Sequence, residues 1–315
     1  MPSLPTPEVS IIIPAKDRAP SLRLTLACLA GQPGIGSAQV ILVNDGADEP
    51  VASVAAGASA QLNLTIVAGP CRGRAAARNA GAALATAPQL IFLDSDIVVS
   101  SQFVAAHLTM ASERSFGHGQ LRELLTARRL LAELGGASFD DIRLTRNRLH
   151  LGQAGPYYRL AANALERAIE AMDDGSIDDV APWLGCVGAN VRVPRQAFEQ
   201  VGGFDEDFGV TWGCEDLELG FRLYAHGLHR RLVRDAAGIH LSHARPGRWA
   251  EHASNLDLFI TKHPVPSVRA LTALLSAGGN PQLYAEAVAA ASFAEPSRAE
   301  RSRAELTSQR RRTNA

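Results

Sequence analysis

The chain is poor in several things that would narrow its chemistry at once. Aromatic residues make up 5% of the sequence and methionine occurs three times, so neither an aromatic stacking platform for nucleic acid nor a methionine-rich recognition groove is expected. The four cysteines, Cys28, Cys71, Cys186 and Cys214, lie far apart and form no paired metal-binding spacing, which argues against a structural zinc site and suits a reducing compartment. Charge of one sign is missing too: 31 basic and 32 acidic residues give a formal net charge of -1 and a pI near 6.8. No field over the whole surface would gather nucleic acid or acidic lipid, so an anionic ligand has to be held locally. No segment is apolar over a membrane-spanning length, and the proline-rich start from Met1 to Glu8 does not resemble a signal peptide, which places the protein in the cytoplasm.

What remains is an ordinary globular composition, 46% hydrophobic and 20% charged over 315 residues, enough to bury a real core. The first hundred residues alternate short apolar runs with helical stretches, the pattern of a parallel sheet flanked by helices. The runs are Val9 to Ile13, Val40 to Val43, Leu62 to Val67 and Leu90 to Leu93, each β-branched or wholly apolar as expected of strands buried on both faces. Helices are expected from Ser21, as cap, to Ala30 and from Arg74 to Ala85. Residues 111–180 read as a helical insertion, with Leu121 to Leu134 and Tyr158 to Met172 as its long helices and acceptor binding as one use for it. Beyond it come a strand from Val187 to Val193, a turn at Gly202-Gly203-Phe204-Asp205, a helix from Glu215 to His226 and a short strand at Leu232 to Val233. Residues 266–315 read as a helical extension ending in a charged tail that includes Arg310, Arg311 and Arg312.

Ligands of open parallel sheets bind beyond the carboxyl ends of the strands. Four polar clusters stand there: Pro14-Ala15-Lys16-Asp17-Arg18, Asn44-Asp45-Gly46, Gly69-Pro70-Cys71-Arg72-Gly73-Arg74 and Asp94-Ser95-Asp96. Asp94 and Asp96, two apart after an apolar strand, can send both carboxylates to one side and hold Mg²⁺ or Mn²⁺, although such pairs also serve as turns. Asp45 is either an Asx turn or an acceptor for a base or ribose. Arg74 and Arg78, one helical turn apart, share a face that could meet a diphosphate, and Asn79 either joins them or bonds a neighbouring strand end. In Thr211-Trp212-Gly213-Cys214-Glu215-Asp216 the two carboxylates either favour a helix start or include a general base, with Trp212 as a wall of the site. His240 and His243, three apart, can complete a metal shell or remain ordinary histidines.

In this order and spacing the segments resemble glycosyltransferase family 2 of the GT-A fold, with a second half similar to the galactosyltransferase-type carboxyl-terminal region. Val9-Ser10-Ile11-Ile12-Ile13-Pro14, Asn44-Asp45-Gly46, the Gly73 to Gly81 helix with Ala77-Arg78-Asn79, and Asp94-Ser95-Asp96 carry the first half. Gly202-Gly203-Phe204-Asp205-Glu206, Trp212-Gly213-Cys214-Glu215-Asp216 and His243-Ala244-Arg245-Pro246 carry the second. Lys16-Asp17 departs from the family's aromatic-asparagine after Pro14, and residues 111–180 match nothing that can be carried over.

The resemblance implies an α/β GT-A domain with a Rossmann-like, mostly parallel sheet. Its nucleotide-sugar half is residues 1–110 and its acceptor and catalytic half is 181–265, separated by the helical insertion 111–180 and followed by the extension 266–315. By the same resemblance Asp216, beside Glu215, is the base of an inverting transfer. Pro14, Ala15, Asp17, Arg18, Asp45, Arg74, Arg78, Asn79, Asp94, Ser95 and Trp212 bind a nucleotide-sugar, with UDP as the favoured carrier. Asp94, Asp96, His243 and His240 hold Mn²⁺ or Mg²⁺, and Gly203, Phe204 and Asp205 face an acceptor that the sequence does not identify. A homo-oligomer stays open. A nucleotidyltransferase would need a glycine-rich, lysine-bearing phosphate loop after the first strand, and Pro14 to Arg18 is not one. A non-catalytic nucleotide-sugar sensor is the remaining alternative.

Overall fold

The computed structural model describes residues 7–46, 51–243, 247–276 and 278–294. Ala244, Arg245 and Pro246 of the histidine motif and the arginines of the tail lie outside them. In the first half, the strands β1 (Val9–Ala15), β2 (Gln39–Asn44), β3 (Asn63–Ala68) and β4 (Gln89–Leu93) pair in parallel in the order β3-β2-β1-β4. Every residue of β4 is buried, and β1 is buried at all positions but Pro14, the outcome its unbroken apolar run requires. Parallel neighbours need crossovers, supplied by the helices α1 (Ala19–Ala30), α2 (Val51–Ser59) and α3 (Arg74–Ala82). Helix α1 begins two residues before the expected cap. Pro20, with its preset φ, opens the helix, and Ser21 lies buried in the first turn without capping it.

The second half mixes directions. Strands β5 (Ile97–Val99), β6 (Ser115–Leu124), β7 (Leu160–Ala161), β8 (Asn190–Pro194) and β9 (His229–His240) continue the sheet as β4-β8-β6-β9-β5, with β7 on the flank of β6. Strand β8 runs antiparallel to β4 and β6, and β6 runs parallel to β9. The remaining helices are α4 (Phe103–Thr109), α5 (Ala127–Leu134), α6 (Phe139–His150), α7 (Ala164–Asp173), α8 (Arg195–Gln200), α9 (Glu215–Ala225), α10 (Arg248–Lys262), α11 (Pro266–Arg269) and α12 (Pro281–Ala294).

Three sequence expectations change here. The helical insertion is narrower than residues 111–180, because 115–124 form β6 in the interior of the sheet, and helix starts only at Ala127. Close approach explains it: a Cβ at Gly119 would meet the Asn190 side chain at 2.2 Å and the Ala236 carbonyl at 2.5 Å, so β6 threads a gap that only glycine fits. The helix expected from Tyr158 is limited to Ala164–Asp173, where the Asn163 side chain accepts from the Glu166 N–H and sets the start. The short strand at Leu232 to Val233 is twelve residues long and ends at His240, its arginine-rich beginning having masked it.

Apolar residues gather in one layer beneath α1, α2 and α4–α6, a second between the sheet and α3, α8 and α9, and a third where Trp183 packs among α7, α10, α11 and α12. In the second layer α3 lies so close to the sheet that a Cβ on Gly81 would stand 2.5 Å from Ile12 Cγ2 and 3.0 Å from Val43 Cγ2. Both neighbours are stiff β-branched side chains. Gly81→Ala is therefore expected to destabilise the fold by about 1–3 kcal/mol through overpacking, despite alanine's better helix propensity. A urea midpoint equal to or above that of the parent would contradict this packing.

Candidate functional site

The carboxyl ends of β1 to β4 meet at one rim, where the backbone leaves its ordinary conformations. The non-glycine residues with positive φ among those described are Asp17 (58°), Arg18 (62°), Cys71 (55°) and Cys214 (71°). The first two follow β1, Cys71 follows β3, and Cys214 caps α9. Asp45, buried at the end of β2, accepts from the Cys71 N–H at 2.7 Å through Oδ1, and its own N–H donates to Ala15 O at 2.9 Å. Its turn-forming role is thus realised, and it holds the 69–71 loop against the strand ends. Helix α3 then starts at Gly73, whose φ of 102° and close contact with the Gly209 carbonyl exclude any side chain. Its first turn, uncapped by any side chain of Gly73 and carrying half-buried Arg74, is the kind of helix start that suits an anion.

Arg78 does not face a ligand. Its side chain is buried, with Nη2 donating to Asp94 Oδ1 at 2.9 Å and Nη1 to Glu215 Oε1 at 3.0 Å. The guanidinium lies 5.2 Å from the centre of the Phe204 ring. The expected role on a diphosphate is replaced by a structural one, since burial of this cation requires carboxylates around it. The same contact occupies Asp94 Oδ1, and Asp94 is not among the residues whose donor atoms cluster with Asp96.

Asp96 stands with both histidines expected beside it, and Asp94 is outside the group. Asp96 is buried, its Oδ2 lies 3.5 Å from His240 Nε2 and 3.7 Å from His243 Nδ1, and donor atoms of these three residues all fall within 4.8 Å of one another. Glu123 stands behind His240, accepting from its Nδ1 at 2.7 Å and from the Ser242 hydroxyl, while Asn163 donates to its other oxygen at 3.2 Å. A carboxylate only accepts, so Nδ1 carries the proton and Nε2 is the nitrogen turned to Asp96. Burial works against charge on His240, yet Asp96 and Glu123 raise its pKa well above the ordinary value; burial would raise Asp96, and His240 and His243 lower it. Among the described residues buried His243 Nδ1 makes no hydrogen bond of ordinary geometry. One carboxylate and two imidazoles fit a divalent cation, and the nitrogen donors suit Mn²⁺ better than Mg²⁺.

Across Arg78 lies the second carboxylate pair. Asp216, in the first turn of α9, accepts from Gly188 N through Oδ2 and from Leu217 N through Oδ1, both at 2.9 Å. Burial first and then neighbouring Glu215 push its pKa up to about 6. Glu215 moves the other way: burial alone would raise it, but Arg78 and Arg74 outweigh that and hold it ionised. The 187–190 loop joins the two carboxylate clusters, because Gly188 N binds Asp216 while Ala189 O accepts from Asp94 N at 3.2 Å. Trp212 is half-buried, its N–H donating to Glu251 Oε2 at 2.9 Å and its ring tilted against His252 and edge-on to Trp249.

The other expected residues divide. Asn79 does not reach a nucleotide; it donates to Phe204 O and Glu206 Oε1 and accepts from Phe204 N, fastening the Gly203–Phe204 turn to α3. Of the residues expected on the acceptor side, Phe204 is buried against Phe92 and Phe198, and Asp205 caps a short turn and pairs with Lys262 while staying partly exposed. Gly203, at φ 71°, packs on Asn79. Pro14 and Ala15 end β1, Ser95 is buried with its carbonyl accepting from Thr25 Oγ1, and Arg18 lies close enough to Asp96 and His243 to affect their charge. Glu123 was not foreseen, because Leu121 to Leu134 read as helix; as a strand, β6 pairs Glu123 directly with His240.

The comparisons with known proteins agree with this geometry. A model described as glycosyl transferase family 2 matches residues 10–116, and one described as the N-terminal domain of galactosyltransferase matches residues 178–244. The validoxylamine A glucosyltransferase of Streptomyces hygroscopicus subsp. jinggangensis (strain 5008) is 32% identical, over 82% of this chain and 61% of that protein. The chain spans about three fifths of the length of the first curated relatives it matches. Among solved structures, the mannosyltransferase PcManGT from Pyrobaculum calidifontis, in complex with GDP-Man and Mn²⁺, superposes with a TM-score of 0.57 at 17% identity, covering 96% of this chain and 80% of that one. S. aureus TarS 1-349 in complex with UDP-GlcNAc gives 0.52 at 15% identity, covering 89% and 71%. These superpositions identify the GT-A fold.

The contact between Glu123 and His240 generates an expectation of its own. Removing a carboxylate that orients a ligand histidine weakens metal binding by about ten- to a hundredfold, so Glu123→Ala should lose Mn²⁺ affinity to that degree while the melting curve stays cooperative. Calorimetric titration that returned the parent affinity from folded Glu123→Ala would remove Glu123 from the centre.

Proposed function

Because this chain belongs to glycosyltransferase family 2, we propose that it moves a sugar from a nucleoside diphosphate to an acceptor hydroxyl, with inversion at the anomeric carbon. The observation that carries this reading is an Asp96–His240–His243 cluster linked, through the Asp94–Arg78–Glu215 ion pairs of the same loop and helix start, to the Asp216 carboxylate. Asp96, His240 and His243 would hold a divalent cation, which when bound offsets the charge of a leaving diphosphate. Arg74 and the amino end of α3 bind the phosphates, and the strand-end residues from Pro14 to Arg18 with Asp45 line the nucleoside side.

Asp216 acts as the base. Held by two backbone N–H groups, its carboxylate accepts the proton of the acceptor hydroxyl as that oxygen forms its bond to the anomeric carbon and the bond to the diphosphate breaks. A base tuned to about 6 is ionised at neutral pH yet far more basic than an ordinary aspartate. UDP is the favoured carrier, supported by the TarS complex with UDP-GlcNAc, while the GDP-Man complex of the Pyrobaculum enzyme makes GDP the natural competitor to test. The glucosyltransferase named above makes UDP-glucose the first donor to try.

Two measurements check the roles separately. Asp216→Asn is expected to lower turnover by about a hundred- to ten-thousandfold while leaving UDP affinity in place, and wild-type turnover from the folded variant would end the base assignment. Asp96→Ala should weaken Mn²⁺-assisted UDP binding in calorimetry, and unchanged affinity would reject the cation role.

The pH dependence has a definite sign. Asp216 must be ionised to work, so kcat/KM should fall as pH drops through about 6, well above the range of an ordinary aspartate. Glu215→Gln removes the like charge and should carry that acidic limb to lower pH. In stability the raised pKa acts oppositely: the folded state holds the Asp216 proton more tightly, so this residue's contribution falls as pH rises from the ordinary aspartate range to about 6, then levels off. A rate profile with its acidic limb near 4 would contradict the tuning.

A further inference from the structure

Beside the Asp96–His240–His243 cluster lies an open cavity of about 480 Å³, lined by Leu125, Ser242, His243, Gly247, Arg248, Trp249 and Ala250. Its volume is that of a small-molecule site, about 300–1,000 Å³. One wall belongs to the candidate cation cluster through Ser242 and His243. The opposite wall, the start of α10, is fastened to the loop that carries the base. Trp212 N donates to Glu251 Oε2, the Thr211 hydroxyl to Asn255 Oδ1, and Asn255 Nδ2 to Gly213 O, each at 2.9 Å. Glu215 and Asp216 follow two and three residues beyond Gly213. The cavity therefore borders His243 on one side and, on the other, the helix start that anchors the loop leading to Asp216.

The lining is unusual for a chain with so few aromatics. Trp249 keeps 46% of its surface exposed and Leu125 keeps 73%. The Trp249 indole is held edge-on to Trp212, with ring centres 6.3 Å apart and planes at 86°, and Arg248 lies 4.9 Å from the Trp249 ring centre and 5.9 Å from that of Trp212. Exposing an indole costs hydrophobic burial, and fixing it with a neighbouring ring and a stacked cation leaves it ordered but uncovered. An ordered indole beside hydrogen-bond donors matches a ligand with an apolar ring face and a polar edge.

We infer that this cavity is the acceptor subsite and that it takes a ring polyol, a pyranoside or a cyclitol, stacked on Trp249 with Arg248 donating to its hydroxyls. The inference rests on the glycosyl-transfer reading and adds the acceptor's chemical class to it. A nonspecific apolar acceptor would need no cation beside the indole.

The test uses the full chain with UDP and Mn²⁺ present and follows tryptophan fluorescence during titration with methyl glucopyranoside and with myo-inositol. Sorbitol, an open-chain polyol with no ring face, is the control. At least one ring probe should give a saturable change that sorbitol does not. Trp249→Ala should weaken ring binding about tenfold, the order lost with one stacked face, and Trp249→Phe should recover part of it. UDP affinity, measured on the same samples, should stay within about twofold, since a tenfold change would correspond to a lost contact of about 1.4 kcal/mol.

The inference is overturned if neither ring probe exceeds sorbitol, if Trp249→Ala binds them like the parent, or if UDP affinity falls in step with ring affinity, which would make the cavity part of the donor site. Loss of UDP binding by the parent protein itself would instead strike the glycosyl-transfer reading, so the two failures are told apart by one control.

Discussion

The site is organised around a buried arginine. Arg78 sits with almost none of its surface exposed, and among the described residues its charged hydrogen-bond acceptors come from Asp94, 16 residues away, and Glu215, 137 residues away. Removing one partner from a buried ion pair costs about 3–5 kcal/mol, because the remaining charge is left without compensation. The loop after β4 and the start of α9 are thus held in mutual register by a single guanidinium, although neither is close to α3 in sequence. Gly188 makes room for it: a Cβ there would meet the guanidinium carbon at 2.7 Å. Phe204 closes it from another side, and Phe204 is itself held through its backbone by Asn79, one residue along α3. Two adjacent residues of one helix therefore fix both the charged and the apolar side of the same rim.

Strain collects where that register is set. Among the described residues four that are not glycine adopt left-handed φ values, and each stands at a junction, after β1, after β3 or before α9. Such conformations cost about 1–3 kcal/mol apiece and persist only where surrounding structure enforces them. At Cys71 the enforcement is visible, a 2.7 Å hydrogen bond from its N–H to buried Asp45. At Cys214 it comes from the packing of a buried thiol against His252, together with the ion pair of Glu215 that follows.

The legible part of the fold was the part whose burial shows in composition. Strands β1, β2 and β4 are apolar runs because helices cover both their faces, and a reading for such runs finds them. Strand β6 is equally central, but it carries Gly117, His118, Gly119 and Gln120, suited to close passage beside Asn190 and to hydrogen bonds with Glu166 and Glu170 rather than to hydrophobicity. That signal has no periodicity, and the leucines that follow suggested helix instead. The same error hid Glu123. In the site, Asp96, His240 and His243 were legible from residue type and order, whereas the roles of Arg78, Asn79 and Phe204 were not. An arginine that binds a phosphate and one that locks two carboxylates look alike until burial is known.

The charge states around Arg78 form one causal chain. Asp216 lies at the amino end of a helix, where the macrodipole and two backbone N–H groups favour its ionised form and would depress its pKa. The pKa rises all the same, because burial and the adjacent Glu215 outweigh them. Glu215 can act so only while ionised, and it is ionised, though more deeply buried than Asp216, because Arg78 and Arg74 compensate it. Arg78 thus acts on Asp216 in two opposite ways, lowering its pKa directly while sustaining, through ionised Glu215, the neighbouring charge that raises it. This accounts for a buried ion pair where apolar packing would be at least as stable, since leucine and methionine in place of Arg78 and Glu215 would fill the space and leave Asp216 without the neighbouring charge that tunes it.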